Sequence, residues 1–497
     1  MLTIIHQSFS GMRFLSCFFS VFFILLLSIM SQPLNAQSLD QQLLDQYEAY
    51  KEPTITHRRF KHQDIKSLIL ALVKPFSTHL MGKSIEGREI YLVKAGTGKT
   101  SVLLWSQMHG DEATATMALM DLFNFMNQDD DFNWLREKIL NNLTLYFIPM
   151  LNPDGADRFQ RRNALGVDLN RDALRLQNPE TQILKRVRDS LDAEWGFNLH
   201  DQGRYYGVGN TPHAAAFSFL APAYNYEKEI NEVRGKAMKQ ISAMNKILQK
   251  YIPGKIAKYN DDFEPRAFGD NIQKWGTSTI LIESGGFKDD WEKQYLRKLH
   301  FMLLLETFNQ IADQGYEKEE IAGYNQIPFN NRGLIHDLIM RKVQVEHDEK
   351  WYLMDIGIRQ YQIMGQNGNY TFGASIDDLG DLHNFYGYHE YDGKTEVKVI
   401  PGKVYPEVIS SFKKLKKMDL QELFTEGYTY FQLKRLPDET EIPDWPIVLL
   451  DKNTHPDNSI SMGNNPVIFL EKGGAKEHYV INGQLFTVAQ ILKNFSK

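Results

Sequence analysis

The stretch Val102-Leu103-Leu104-Trp105-Ser106-Gln107-Met108-His109-Gly110-Asp111-Glu112-Ala113 decides how this chain is read. The apolar run Val102 to Trp105 predicts a buried strand, and Ala113 to Asn127 repeats Met117, Leu119, Met120, Leu122 and Phe123 at helical spacing. A strand, a polar turn and then a helix is the building unit of an α/β protein, whose sites gather at the carboxyl ends of its strands. His109 and Glu112 stand three apart in that turn. The spacing can aim an imidazole nitrogen and a carboxylate at one borderline-soft cation such as zinc. The plain alternative is a helix start capped by Asp111.

Outward from this unit the alternation continues. Strands are predicted at Ile90 to Val93, Leu143 to Leu151, Phe197 to His200 and Thr279 to Glu283, and helices at Glu180 to Trp195, Glu227 to Tyr251 and Asp290 to Ala312. This predicts a three-layer α/β/α domain over residues 73–315, with a mixed or largely parallel sheet covered by helices on both faces. Before it, residues 37–72 read as a helical lead-in. After Gly315 short β-type runs (Trp351 to Met354, Tyr370 to Phe372, Glu396 to Ile400, Ile447 to Leu450, Pro466 to Leu470) predict a smaller β-rich C-terminal domain over 316–497. Gly96-Thr97-Gly98-Lys99-Thr100 imitates a phosphate loop. It lacks the glycine five places before Gly98 and leads into a strand, so it reads as a hairpin turn.

Composition excludes several classes. The 497 residues are 42% apolar and 24% charged, as in ordinary globular proteins, and a formal charge of −6 gives no footprint for nucleic acid. The exception is the N-terminus, where Arg13 precedes the 17-residue run Phe14 to Met30 and then Leu34-Asn35-Ala36. This reads as an export signal over residues 1–36, which places the protein in a periplasm or outside the cell, with an uncleaved signal anchor as the alternative. Apart from such an anchor, no membrane insertion is expected. Removing 1–36 takes one arginine and no acid, moving the charge to −7, and takes the single cysteine, Cys17. The remaining chain has neither disulfide nor thiol nucleophile.

Three further clusters carry chemistry. Asn152-Pro153-Asp154-Gly155 reads as a turn, followed by Arg158, Arg161, Arg162 and Gly166-Val167-Asp168-Leu169-Asn170-Arg171. A solvated basic loop is the simple reading, but arginine forks also bind carboxylates bidentately. Phe197-Asn198-Leu199-His200-Asp201 ends an apolar strand on a histidine, a place where structural histidines are common. Ser278-Thr279-Ile280-Leu281-Ile282-Glu283-Ser284-Gly285-Gly286 puts a carboxylate at the end of a buried strand, where it must be paired, exposed or poised as a base.

Taken in this order, the clusters resemble the zinc carboxypeptidases of the carboxypeptidase A family over about Gly82 to Ala312. The resemblance begins at Gly82-Lys83-Ser84-Ile85-Glu86-Gly87-Arg88-Glu89-Ile90 and runs through Arg161-x-Asn163-Ala164-x-Gly166 to Glu283. It implies that His109, Glu112 and His200 bind one zinc per chain, with Asp168 orienting His109, and that Glu283 activates the zinc-bound water. It further implies that Arg161 stabilises the oxyanion and that Asn170 and Arg171 hold the substrate's terminal carboxylate. The Arg-x-Asn-Ala-x-Gly register favours Arg161 over Arg162. The family's substrate-closing tyrosine is best matched by Tyr259, with Tyr205 and Tyr206 as alternatives. Asp111 stands where digestive members have arginine, so a positive subsite contact becomes negative.

The expected substrate is a peptide or cell-wall peptide. Three other functions fit the same residues: an N-acyl amino acid deacylase, a peptidoglycan stem-peptide amidase, and an inactive peptide-binding protein.

Overall fold

The apolar runs are the strands of an eight-stranded mixed sheet. In the computed structural model, which describes residues 37–364, 370–437, 445–465 and 467–494, they are β1 (Phe76–Lys83), β2 (Glu89–Ala95), β3 (Thr100–Ser106), β4 (Leu143–Ile148), β5 (Trp195–Asp201), β7 (Phe217–Leu220), β8 (Ile256–Lys258) and β9 (Ser278–Ser284), while β6 (Tyr206–Val208) lies outside this sheet. The order is β1-β2-β4-β3-β5-β9-β7-β8. The central four strands, β4, β3, β5 and β9, run parallel. Their residues are buried on both faces, as parallel strands flanked by helices require.

The chain divides into Met1–Glu48 and Ala49–Lys497. The first unit contains the helix α1 (Leu39–Asp45), and the expected export signal over 1–36 lies outside the described residues. In the second unit the α-helices up to Ala312 are α2 (His62–Leu70), α3 (Thr114–Met126), α4 (Asn133–Asn142), α5 (Pro153–Arg158), α6 (Pro179–Leu191), α7 (Glu232–Leu248), α8 (Phe268–Lys274) and α9 (Gln294–Ala312). Alternation along the strands sorts them into layers. Leu103 and Trp105 of β3 pack with Ile183, Leu184 and Val187 of α6 and with Phe268 and Ile272 of α8. On other strands, Phe147 meets Phe123 of α3 and Phe197 meets Phe308 of α9, each edge-on. Among the described residues no helix is long and apolar enough to cross a membrane.

Several boundaries differ from the sequence reading. The helix expected to reach Trp195 stops at Leu191, because Asp192 adopts the left-handed conformation (φ 42°) and Trp195 opens β5. The helix expected from Glu227 begins at Glu232, where Asn231 Oδ1 accepts from the Arg234 amide at 2.9 Å. The Gly96 to Thr100 segment is not a hairpin turn: β4 lies between β2 and β3, so it links strands that are not neighbours.

The C-terminal region is mostly strand. β10 (Asn330–Arg332) pairs with β6. β11 (Ile335–His347), β12 (Lys350–Met364) and β13 (Tyr370–Gly380) form an antiparallel meander, with β14 (Tyr386–Asp392) parallel to β11. This sheet has its own core around Leu338, Met340, Ile356, Ile358, Val399 and Leu470.

Candidate metal and catalytic site

The turn that carries His109 and Glu112 is held from below. β3 ends at Ser106, and Asn152, which starts α5 by accepting the Gly155 amide on Oδ1 (3.0 Å), donates through Nδ2 to the Met108 carbonyl (3.3 Å). Gly110 must be glycine, since a Cβ there would come within 2.0 Å of the Gly155 backbone. Asp154 accepts from Ser84 Oγ (2.7 Å) and the Glu86 amide (3.1 Å) and pairs with Arg88 (2.7 Å). The Asn152–Gly155 segment is thus a helix start rather than a bare turn. It joins the Gly82–Ile90 segment to the turn that carries His109 and Glu112.

His109, Glu112 and His200 are all buried and offer ligand atoms within 4.8 Å of one another. His109 Nδ1 and Glu112 Oε1 are 2.8 Å apart, and His200 Nδ1 and Glu112 Oε2 2.6 Å. The other nitrogen of His109 faces Asp168 Oδ1 at 3.0 Å, which fixes the ring. Burial opposes charging His109, but Glu112 and Asp168 outweigh it and raise its pKa to about 9. In His200 burial wins over Glu112 and the pKa is lowered. His200 Nε2 has no partner among the described residues. Two imidazoles and one carboxylate converging in a buried pocket are the donor set of a zinc site that keeps one position open.

Glu283 stands on β9 in register with His200 on β5 and with Ser218 on β7. Its Oε2 is buried with no partner among the described residues. Burial, and then the field of Glu112, raise its pKa well above the ordinary carboxylate range. A dication held by Glu112 removes the second cause. Lys293, buried behind the site, donates to the Ser284 carbonyl (2.8 Å) and pairs with Asp201 (3.2 Å). Asp201 also accepts from Thr114 Oγ1 at 2.7 Å, and its amide donates to Glu112 Oε2 at 3.2 Å. One network therefore joins the segments that carry Glu112, His200 and Glu283.

Arg161 lies 3.1 Å from Glu112 and 3.0 Å from Asp168, whereas Arg162 donates to the Gly166 carbonyl and makes no such contact. Asn170 accepts the Phe268 amide on Oδ1 (2.8 Å), which sets its amide plane, and Arg171 lies 3.5 Å from Glu264. Of the three tyrosines, Tyr205 is committed elsewhere: its hydroxyl donates to Asp337 Oδ2 (2.6 Å) and lies 2.7 Å from the Gln360 carbonyl oxygen. Tyr259 packs against Tyr206 with ring centroids 5.9 Å apart. Burial, followed by the charge of Glu283, raises its pKa far above the ordinary range. Asp111 is also buried, its pKa raised by burial and then by Glu112.

Sequence reasoning missed Lys293, Asp201 and Thr114, because they act on the site through partners remote in sequence. A lysine after a Gly-Gly loop carries no recognisable signal.

Comparison with known proteins places this geometry. A family model described as zinc carboxypeptidase matches residues 71–296. Carboxypeptidase SOL1 of Arabidopsis thaliana is 26% identical over 215 residues, covering 36% of this chain and 43% of that protein. Carboxypeptidase 2 of Trichophyton rubrum is 27% identical over 294 residues, covering 56% of this chain and 50% of that protein. The chain thus spans about half the length of these curated relatives. A crystal structure of a metallo-carboxypeptidase from Burkholderia cenocepacia aligns with a TM-score of 0.42 and 16% identity, covering 51% of this chain and 69% of that one. Residues 71–296, which carry His109, Glu112 and His200, a trio that could hold one metal ion, are thus similar to the zinc carboxypeptidase family.

Proposed function

We propose that this chain is an exported zinc metallocarboxypeptidase that removes single residues from the carboxyl ends of peptides, with a catalytic region at 73–315 and a β-rich region at 316–497. The observation that carries the reading is Glu283, a buried carboxylate in register with His200 and facing the field of Glu112. His109, Glu112 and His200 would hold the zinc. When bound, the zinc supplies Lewis acidity to water and to the scissile carbonyl, taking the pKa of water from about 15.7 toward 7.

The chain's own residues do the rest. Glu283 takes a proton from the attacking water and returns it to the leaving amine, a transfer favoured by a buried carboxylate with few competing partners. Arg161 supplies a fixed positive charge where the carbonyl oxygen becomes negative. Asn170 and Arg171 receive the terminal carboxylate, and Tyr259 covers the site. Support for export is the Arg13 and Phe14 to Met30 pattern together with a cysteine-free remainder.

The carboxylate clamp gives the test. Matched peptides with free and amidated carboxyl ends should differ about 100-fold in kcat/KM in favour of the free acid, equivalent to about 2.7 kcal/mol. The check is mass spectrometry of timed digests. Equal rates on both, or cleavage inside the chain, would reject an exopeptidase.

A further inference from the structure

The β-rich region meets the catalytic region at a particular place. Besides contacts at Arg59, Asn210 and Lys258, it meets two loops next to the candidate site, Gln202–Tyr206 after His200 and Gly285–Glu292 after Glu283. Arg204 is the centre of this contact. Its guanidinium lies 3.6 Å from the ring centroid of Trp291 and 4.4 Å from that of Tyr388, and it pairs with Asp337 at 3.2 Å. The Tyr388 hydroxyl donates to the Arg204 carbonyl at 2.6 Å. On the other loop Gly286 lies so close that a Cβ would come within 2.1 Å of the Tyr388 hydroxyl. The strand pair β6–β10 continues the attachment just beyond Tyr205.

We propose that Arg204 is a positioning residue for the metal ligand His200 and for Glu283, and that the β-rich region completes the catalytic site by clamping it. The path is short. Only Asp201, Gln202 and Gly203 separate His200 from Arg204, and the Gln202 amide donates to the Ser284 carbonyl at 2.9 Å, next to Glu283. A cation held between two aromatic rings, with a buried carboxylate as counter-ion, keeps a strong attachment because little water competes. Trp291 belongs to the Glu283 loop, while Tyr388 and Asp337 belong to the β-rich region. One guanidinium therefore fixes the separation of the two strand ends. Without the clamp both loops keep their sheet hydrogen bonds but lose the common reference that sets His200 against Glu283.

The inference rests on the carboxypeptidase reading, so its test includes a readout that needs no turnover. Full-length Arg204→Ala, Arg204→Lys and Asp337→Asn are compared with the wild type for zinc affinity by chelator competition, for kcat and KM, and for Tm. Arg204→Ala should weaken zinc about tenfold or more and lower kcat by at least tenfold, with KM changed less than threefold. Arg204→Lys, which keeps the charge and the Asp337 pair, should recover a large part of both. Asp337→Asn should lower zinc affinity and kcat at least threefold, and it decides the matter if Arg204→Ala fails to fold. A lower Tm with zinc affinity and kcat at wild-type values would overturn the proposal, since a merely structural role predicts that outcome. Wild-type zinc binding without release of terminal residues would instead count against the carboxypeptidase reading, and the shift in zinc affinity would still decide the role of Arg204.

Discussion

Replacing Glu283 by glutamine should leave one zinc per chain and an almost unchanged KM while lowering kcat about 10³-fold, or about 4 kcal/mol of barrier. The carboxamide has the shape of the carboxyl it replaces, so β9 keeps its register with β5 and the His109–Glu112–His200 set keeps its geometry. What is lost is the group that can accept and return a proton. Glu283 suits that work because it is buried beside Glu112 and its Oε2 is not engaged by another side chain among the described residues. Steady-state kinetics with metal analysis on the same preparation checks the result. A kcat within a few-fold of wild type would assign the proton transfer to another residue.

Replacing His200 by alanine should have the opposite signature. Removing one of three ligands leaves His109 and Glu112, and two donors hold zinc far more weakly than three. After dialysis the variant should carry less than about a tenth of a zinc per chain and have no measurable turnover. The fold should survive, because β5 is held on both sides by β3 and β9 and His200 lies near its end. Elemental analysis and circular dichroism together read both consequences. A folded variant with full zinc content would move the third ligand elsewhere. The two substitutions thus separate binding of the metal from use of the proton.

The candidate site residues stand out in the sequence because each lies at or a few residues beyond the end of a mostly apolar run. His109 follows Val102 to Trp105, His200 follows Phe197 to Leu199, and Glu283 follows Thr279 to Ile282, so the period of the pattern itself marks the strand ends. The parallel sheet then brings those ends together, which no local pattern states. The β-rich region was less legible. β12 runs for 15 residues but is read from sequence only at Trp351 to Met354, since beyond it Asp355, Gly357, Arg359, Gln360 and Gln362 leave only single apolar residues between them and no apolar run continues. Some of these polar residues are used within the folded chain: the Gln360 amide donates to Asp337 and its carbonyl oxygen lies 2.7 Å from the Tyr205 hydroxyl. β1 was missed because its residues are mostly exposed or half-buried and show no two-residue period. Arg204 and Lys293 were invisible for a related reason. Their partners lie far along the chain, Asp337 for the first and Asp201 for the second, and a lone basic residue in a loop looks solvated until the fold closes around it.

The most direct test of the central claim is zinc content measured together with chelator-sensitive release of terminal residues from a mixed peptide pool. The account predicts one zinc per chain, release of single carboxyl-terminal residues, loss of that release when chelator removes the metal, and recovery on adding zinc back. A folded chain without zinc, or release that persists after the metal is gone, would contradict it.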